Sequence, residues 1–550
     1  MGRAPVSSGA WAALVLAAGV AAQLAIHDRS VVPVDEGQLA AIADRLARGD
    51  VLYRDVYTGI FPGVYHAAAA LLAVFGDDLL VLRRAQLAVN AATALLLWLV
   101  ARRVARPAFA ALAPALYLEL VVFDFPGLSM LNYSPLAMLF ALAALLAVLR
   151  WQERGRFADA VAAGICLGLC GLVKQNFGAL AGLAVLVGLA AGRRAPAAAG
   201  DTRARALAGV TLGGAAVVAP ALLAFAAAGA LGPLVDATLL TLGASQLEAF
   251  RDPLPPLLGP HPDDARFVFL YTPAALFNYL VRGETLLGLS ISPGLRGAAI
   301  RLAYGGALAT LAAGALAALF AARSEPPAER AALRSTLVFG LLLFLGIFPS
   351  AIWSHLAFVG APVLLVFAAL AERVDRALVS AAPRGARAWR AALASLAAVG
   401  AVLSAAISFD VARWYPEPLG IARATLRVAP AQRAVLRDAT RFLEACARPG
   451  EPVFAAPDIP VVYFLASRAN ATRYDLLIPG NVSGPAIVAE LERRGVRCAV
   501  YNPRMYAQFL PFAELFPEVA LHLETRFRRA AELGSGDAAW WGLVRTDAAR

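Results

Sequence analysis

Residues 132–191 read NYSPLAMLFALAALLAVLRWQERGRFADAVAAGICLGLCGLVKQNFGALAGLAVLVGLAA, and this stretch decides the fold. Its apolar residues form three runs separated only by short polar segments, at about 135–149, 158–172 and 176–191. A membrane helix needs about 20 residues, most of them apolar, to cross about 30 Å of hydrocarbon. The stretch therefore predicts three successive membrane helices joined by short turns.

The composition of the whole chain indicates the same class of protein. Of its 550 residues, 60% are hydrophobic and 16% are charged. Soluble domains have roughly 45–50% and about 25%. The net charge of +11 comes with arginines clustered in short loops, which is typical of segments that face anionic lipid. The sequence has no basic stripe with interleaved aromatic residues, which excludes a nucleic-acid-binding protein.

Similar apolar runs recur as far as residue 408 and predict about eleven membrane spans. They lie at about 10–26, 84–101, 108–123, 135–149, 158–172, 176–191, 206–228, 299–321, 335–349, 356–371 and 390–408. The arginine clusters all fall on one side of this topology, which makes that side and the N-terminus cytoplasmic. The sequence thus predicts a membrane domain, 1–408, with long outer loops at 27–83 and 229–298.

The tail, residues 409–550, loses the long apolar runs and predicts a small outer-facing α/β domain. Short apolar bursts at 452–457, 497–502 and 540–545 alternate with helical patterns at about 432–446, 484–495 and 504–515. Cys446 and Cys498 lie in this tail and can form a disulfide if it is extracytoplasmic. Cys166 and Cys170 lie in an apolar run, where small core residues are expected.

The first outer loop is the most polar segment of the membrane half. Leu39, Ile42 and Leu46 share one helical face, which predicts a short helix lying in the membrane interface. The run from Ile60 to Phe75 is apolar but too short to span comfortably, so it predicts a second interfacial or half-inserted helix. Together these helices form a polar rim at the mouth of the membrane domain.

Asp35 and Glu36 are adjacent acids at the start of the first of these helices. On the residues alone, two interpretations stay open. Asp35 can cap the helix, with Gln38 three residues later in the capping-box position. Alternatively, its carboxylate lies at bilayer-surface depth, partly shielded from water, where a carboxylate can act as a catalytic base.

Lys174 is the only lysine in the chain, and it lies between two apolar runs. A lysine at the bilayer centre costs about 2.5–3.5 kcal/mol, which argues for a cavity and a partner. The alternative is that its side chain extends to the outer interface from the turn between two spans.

Several blocks, taken in order, match one known family. They are DEG at 35–37, GDVLYRDVYTGIFPGVY at 49–65, FG and LRR within 75–84, NYSPLAMLFALAALLAVLR at 132–150, GLVKQNFG at 171–178 and VVYFLASRANATRYDLLIPG at 461–480. The chain resembles the polyprenyl-phosphate-sugar-dependent membrane glycosyltransferases of the GT-C fold, glycosyltransferase family 39 type. That family includes protein O-mannosyltransferases and the lipid A aminoarabinose transferase.

The resemblance implies a bacterial inner-membrane enzyme that moves a sugar from polyprenyl phosphate to an acceptor hydroxyl on the outer face. Asp35 would be the base of an inverting reaction, with Glu36 positioning it or the acceptor. Cations facing the outer side are candidates to bind the donor phosphate: Lys174, Arg83, Arg84, Arg54 and Arg282. Polar side chains are candidates to bind the sugar or the acceptor: Tyr53, Asp55, Tyr57, Asn132, Gln175 and His355.

Two departures from the family pattern stand out. Asn132 occupies a place where family members commonly carry an acid, so a second carboxylate is in question, and Asp124 is the nearest alternative. WSHLAFVGAP at 353–362 replaces an arginine-tyrosine-proline signature, which makes His355 a substitute candidate. No metal ligands are assigned, and help from a divalent cation stays open. The acceptor stays open among lipid, glycan and protein.

Two other classes of protein compete with the enzyme. A transporter or flippase also suits many spans and an intramembrane lysine. The sequence shows no repeated half, which counts against such a carrier. A membrane scaffold that presents the tail to a partner would explain the tail but leave the polar first loop without a role. Neutralising Asp35 separates the three, because only the enzyme loses sugar transfer while still folding.

Overall fold

The computed structural model describes residues 8–191, 202–241, 251–320, 327–478, 480, 482–504, 511–536 and 539–546. The membrane half is helical. Its α-helices are α1 Ser8–Leu24, α2 Asp35–Ala47, α3 Gly63–Phe75, α4 Leu79–Ala101, α5 Pro107–Ala110, α6 Leu112–Phe123, α7 Tyr133–Arg154, α8 Phe157–Val173, α9 Gln175–Ala191, α10 Thr202–Ala227, α11 Leu231–Val235, α12 Ala265–Tyr271, α13 Ala274–Arg282, α14 Pro293–Ile300, α15 Gly306–Leu319, α16 Pro327–Phe344, α17 Trp353–Ala381 and α18 Pro383–Trp414. Short 3₁₀ or π turns lie at Gly127–Ser129, Asp236–Leu240, Arg301–Gly305 and Leu345–Ile347.

Seven helices within the described residues are long and apolar enough to cross a membrane. They are Leu79–Ala101, Tyr133–Arg154, Arg203–Ala227, Pro293–Leu319, Glu329–Ile347, Trp353–Ala381 and Pro383–Trp414. Shorter apolar helices accompany them at Gly63–Phe75, Pro107–Phe123, Phe157–Val173, Gln175–Ala190 and Leu231–Leu240. The prediction of a polytopic helical membrane protein is confirmed. The number of eleven spans stays a prediction, as does the domain boundary after residue 408, where α18 continues to Trp414.

The tail contains the predicted α/β domain. Its helices are α19 Pro430–Cys446, α20 Val461–Leu465, α21 Gly484–Arg494, α22 Phe512–Leu515 and α23 Pro517–Arg526. The strands are β1 Thr285–Leu286 and β2 Leu289–Ser290 in the second outer loop, then β3 Glu417–Pro418, β4 Arg427–Val428, β5 Pro452–Ala456, β6 Ala469–Asn470, β7 Cys498–Tyr501, β8 Phe527–Leu533 and β9 Trp540–Arg545. A five-stranded sheet has the order β6-β5-β7-β9-β8, and β6, β5 and β7 run parallel. Sequence patterns located β5, β7 and β9 but missed β6 and β8 of this sheet. Residues 505–510 of a predicted helix lie outside the described residues.

A disulfide joins Cys446, at the end of α19, to Cys498 at the start of β7. It closes a loop with a sequence separation of 52 residues. A cross-link of this kind typically contributes about 2–4 kcal/mol by restricting the unfolded chain. We therefore expect Cys446→Ser to lower the thermal unfolding midpoint of the purified protein. Cys166→Ser, at a free cysteine, is the control, and equal midpoints for the two variants would contradict the prediction.

The first outer loop lies between the membrane helices and the tail domain. Nine of the 13 residues of α2 are buried, including Leu39 and Ile42. Its contacts are with α3 on the membrane side and with α20 of the tail. The predicted apolar face of α2 does not meet lipid, because Leu39 and Ile42 are buried within the protein. The position of the helix in the membrane interface stays a prediction. The small residues Ala40, Ala41 and Ala43 let the neighbouring backbones approach closely.

Candidate active site

Asp35 is the first residue of α2 and does not cap it. Val34 occupies the N-cap position, and no side chain caps this end of the helix. The capping-box interpretation is therefore wrong. Within the described residues, the Asp35 carboxylate has no hydrogen-bond or ion-pair partner, and the residue is exposed. This carboxylate is thus free to act on a bound molecule.

The carboxylate of Asp35 opens onto a small crevice where the first outer loop meets the start of α7. The crevice is lined by Asp35, Gln38, Leu39, Tyr65, Leu131, Asn132 and Tyr133. Its volume is about 10 Å³, which leaves space for about one water molecule. Although Asp35 is exposed at the edge of the crevice, the surrounding groups partly desolvate its carboxylate and raise its pKa above the ordinary value. A carboxylate with a raised pKa is a stronger base than an ordinary surface aspartate.

Glu36 has a different environment from its neighbour. Its side chain is buried and forms an ion pair with both Nε and Nη2 of Arg83, the second at 2.7 Å. The backbone N–H of Val32 also donates to Glu36 Oε2 at 3.0 Å. Arg83 is completely buried and donates to the Ser30 carbonyl as well. This pair connects the loop to α4, so both side chains are engaged in holding the loop.

Lys174 is the single residue between α8 and α9, and it lies close to the crevice. It is buried, and its Nζ donates to Ser134 Oγ at 2.8 Å. The ammonium group lies 4.3 Å from the Phe177 ring centre and 5.2 Å from the Tyr133 ring centre. Because Tyr133 also lines the crevice, Asp35 and Lys174 contact the same small region. Within the described residues, no carboxylate pairs with Lys174, so its Nζ can bind an anionic ligand.

Three further predicted residues surround this region. Asn132 lines the crevice and caps α7 by accepting from the Ser134 N–H at 2.9 Å. Gln175 donates to the Gly59 carbonyl at 2.8 Å, which links the first outer loop to α9. His355 Nδ1 bonds to the Ser350 carbonyl at 2.5 Å at the start of α17.

The remaining predicted residues are engaged in other contacts. Arg54 forms a 2.8 Å ion pair with Asp55, and the hydrogen bond from Arg54 is the main reason that the pKa of Asp55 is lowered. Tyr53 donates to the Ile60 carbonyl at 2.8 Å, and the Tyr57 ring packs against Tyr474 of the tail. These side chains shape the loop. The structure gives none of them a place on the crevice wall.

Two arginines complete the predicted set. The Arg282 guanidinium stacks over Trp414 and Tyr415, at 4.8 and 5.1 Å from their ring centres. Arg84 is exposed one position after the buried Arg83. Neither residue lines the crevice.

Sequence reasoning missed Tyr65 and Tyr133 as crevice residues. Tyr65 bonds through its hydroxyl to Thr58 Oγ1 at 2.8 Å. Both tyrosines lie inside blocks that carried the family resemblance, at 49–65 and 132–150, but their apolar neighbours make them resemble core residues. Their role becomes visible only when α3 and α7 are placed against Asp35.

Metal ligation has little support in this region. Within the described ranges, no group of three or more His, Cys, Asp or Glu side chains is placed to hold a metal ion. Asp35 is the one carboxylate on the crevice wall, beside the amides of Asn132 and Gln38. A divalent cation favours several oxygen ligands, so this donor set does not fit one well.

The helical membrane domain and the α/β tail give the chain a GT-C-like fold, and the first outer loop between them carries Asp35. Residues 61–229 match the model of a family described as dolichyl-phosphate-mannose-protein mannosyltransferase. This match confirms the family resemblance drawn from the sequence and supports a transferase. No curated protein sequence matches the chain.

Solved structures with a similar fold include three glycosyltransferases. The Archaeoglobus fulgidus oligosaccharyltransferase, in complex with Zn and sulfate, has a TM-score of 0.52 at 14% identity, over 96% of this chain and 73% of that one. ArnT from Cupriavidus metallidurans, bound to undecaprenyl phosphate, has a TM-score of 0.44 at 16% identity, over 98% and 99%. The arabinosyltransferase EmbB from Mycobacterium smegmatis has a TM-score of 0.33 at 16% identity, over 76% and 42%. The first of these carries the fold assignment.

Proposed function

We propose that the protein transfers a sugar from a polyprenyl-phosphate donor to an acceptor hydroxyl on the outer face of the bacterial inner membrane. The observation that carries this proposal is the free carboxylate of Asp35 in a crevice whose Tyr133 wall also contacts the buried Lys174. The matched family description supports a sugar donor carried on a lipid phosphate.

The reaction needs one base and one cation. The acceptor hydroxyl oxygen attacks the anomeric carbon and forms the new glycosidic bond, while its proton passes to Asp35. The bond from the anomeric carbon to the phosphate oxygen breaks, and the electron pair leaves with the polyprenyl phosphate. Attack opposite the phosphate inverts the anomeric centre. Lys174 stabilises the charge on the departing phosphate, which is already an anion and needs no general acid.

The tail supports an outer-face location for this chemistry. The disulfide between Cys446 and Cys498 is typical of an oxidising compartment such as the bacterial periplasm. The same tail covers the loop that carries Asp35. The arginine clusters in the short loops between spans are expected on the opposite, cytoplasmic face of the membrane, which agrees with an outer-facing tail.

The experiment uses purified protein in liposomes with a radiolabelled polyprenyl-phosphate sugar and an envelope extract as the source of acceptors. We expect label to leave the donor and appear in a new product, with release of polyprenyl phosphate. Movement of intact donor across the bilayer without any transfer of label would overturn the proposal in favour of a flippase.

Lys174→Gln tests the phosphate role. A hydrogen bond to a charged group contributes about 1.5–3 kcal/mol, so we expect the KM for the donor to rise about 10-fold to 100-fold. Lys174→Arg keeps the charge and is expected to retain part of the affinity. An unchanged donor KM in Lys174→Gln would remove Lys174 from the donor site.

A further inference from the structure

We propose that the tail domain positions the catalytic acid through α2, and that Arg45 and Asp475 are positioning residues for Asp35. This inference rests on the proposed function, because it assigns a role relative to the base named there. It makes the tail a working part of the active site. The alternative is an appended module that merely covers the loop.

The first observation concerns the C-terminal end of α2. Arg45 lies in its last turn and is almost fully buried. Its guanidinium donates to the Thr472 carbonyl of the tail at 2.9 Å and forms an ion pair with Asp475 at 3.4 Å. The same group bonds to Asp50 at 2.7 Å and to the Asp55 carbonyl at 2.8 Å. One side chain thus joins α2, the loop that follows it and the tail.

Asp475 is held in place by burial and by hydrogen bonds within the tail. Its side chain is 0% exposed, and its Oδ1 also accepts from Asn470 Nδ2 at 2.7 Å. Asn470 is held in turn, because its Oδ1 accepts from the Thr472 N–H at 2.9 Å. A buried carboxylate with such support is costly to leave unpaired. The tail therefore holds the Asp475 carboxylate at a fixed position beside the last turn of α2.

The second observation concerns the N-terminal end of the same helix. The Val461 N–H of the tail donates to the Pro33 carbonyl at 3.2 Å. A Cβ added to Gly37 would lie 2.5 Å from the Val461 nitrogen and 2.8 Å from its Cα. Only glycine lets the tail backbone approach the first turn of α2 this closely, two residues from Asp35.

The two contacts act on one rigid element. A helix rises about 1.5 Å per residue, so Asp35 and Arg45 lie about 15 Å apart on α2. A shift at either end moves the whole helix and with it the carboxylate. A misplacement of about 1 Å can cost about 100-fold in rate. The side chains that face Arg45 and Asp475 are Asp50 and Asn470, and Asp44 beside them bonds to Arg423 of the tail at 2.7 Å.

The experiment compares Asp475→Asn with Asp375→Asn in the full-length protein. Asp375 is equally buried and pairs with Arg390 at 2.6 Å and Arg106 at 2.8 Å, but it lies about 30 Å along α17 from His355. We expect Asp475→Asn to lower kcat about 10-fold, with the donor KM within about twofold of wild type. We expect Asp375→Asn to lower the thermal midpoint without changing kcat. Equal kcat losses in both variants would overturn the proposal.

Two further readouts separate positioning from general stability. When Asp35 is already replaced by asparagine, adding Asp475→Asn should not lower the remaining kcat any further, because the carboxylate that Asp475 helps to position is absent. Amide hydrogen exchange across residues 35–47 should accelerate about 10-fold in Asp475→Asn and stay unchanged in Asp375→Asn. An additive loss of turnover, or unchanged exchange, would contradict the positioning role. Exchange needs no turnover, so it decides the role of the tail even if Asp35→Asn retains activity and the proposed function fails.

Gly37→Ala provides the second variant if Asp475→Asn does not fold. The added methyl group must displace α2 from the tail, because the atoms that it meets include backbone N and Cα of Val461, which cannot move aside as a flexible side chain can. We expect a kcat loss of at least 10-fold with the donor KM within about twofold. Ala substitution at Gly385, whose added Cβ meets only side-chain atoms at 3.5 Å, is the matched control. Wild-type kcat in Gly37→Ala would show that the tail does not set the position of Asp35.

Discussion

Asp35→Asn is expected to lower kcat for sugar transfer by about 100-fold to 10,000-fold, which is the usual contribution of a positioned general base. Asparagine keeps the size of the side chain but cannot accept the acceptor proton. Among the described residues, the adjacent carboxylate of Glu36 cannot replace it as the base, because Glu36 is engaged with Arg83. The measurement is single-turnover transfer from a radiolabelled polyprenyl-phosphate donor at matched amounts of folded protein.

Asp77→Asn is the matched control for this variant. Asp77 lies in the same outer loop, its side chain is 64% exposed, and its contact with Arg423 is a loose 3.5 Å. The same chemical change there is expected to leave transfer within about twofold of wild type. Turnover by Asp35→Asn equal to that of Asp77→Asn would remove Asp35 from its role as the base.

The pH dependence of the reaction follows from the same environment. The base works as a carboxylate, so kcat/KM should fall as the pH decreases through the pKa of Asp35. Burial raises that pKa, which places the acid limb above the value of about 3.9 for an ordinary aspartate. A profile of kcat/KM against pH measures the limb. An acid limb at or below the ordinary value would contradict the partial desolvation of the carboxylate.

Much of the membrane fold follows from local sequence. The stretch 132–191 predicts helices that the structure places at Tyr133–Arg154, Phe157–Val173 and Gln175–Ala191. Apolar runs suffice here because the bilayer demands that each segment satisfy its own backbone hydrogen bonds. For Lys174 the sequence leaves open a buried partner or an extension to the outer interface, and the structure shows a buried side chain that donates to Ser134 Oγ.

The arrangement around Asp35 depends on contacts between distant segments, and sequence patterns do not carry those. The helical face of Leu39 and Ile42 predicts an apolar partner for α2 but does not tell lipid from protein. The structure buries both side chains within the protein, and the tail, more than 400 residues further on, contacts the same helix at Gly37 through Val461. The same limitation explains why Arg83 was a candidate for phosphate: its burial against Glu36 depends on how α4 packs against the loop.

Replacing either of the two adjacent acids with its amide is expected to have opposite effects on the stability of the protein. Glu36→Gln leaves the completely buried Arg83 guanidinium without its anion. Breaking one side of a buried ion pair typically costs about 3–5 kcal/mol of the free energy of unfolding. We expect a large fall in the thermal unfolding midpoint of Glu36→Gln in mild detergent. Asp35→Asn should leave the midpoint unchanged or slightly higher, because it removes a partly desolvated charge that has no partner among the described residues.

The double variant Glu36→Leu/Arg83→Met separates the ion pair from the shape of the site. Replacing both partners of a buried pair with apolar residues of similar volume is often neutral or stabilising, so the double variant should recover much of the stability that Glu36→Gln loses. Recovery will be incomplete, because the Val32 N–H and the Ser30 carbonyl lose the groups that they contact. A Glu36→Gln midpoint equal to wild type would mean that Glu36 does not hold the loop, and its carboxylate would then be available for the chemistry that we propose for Asp35.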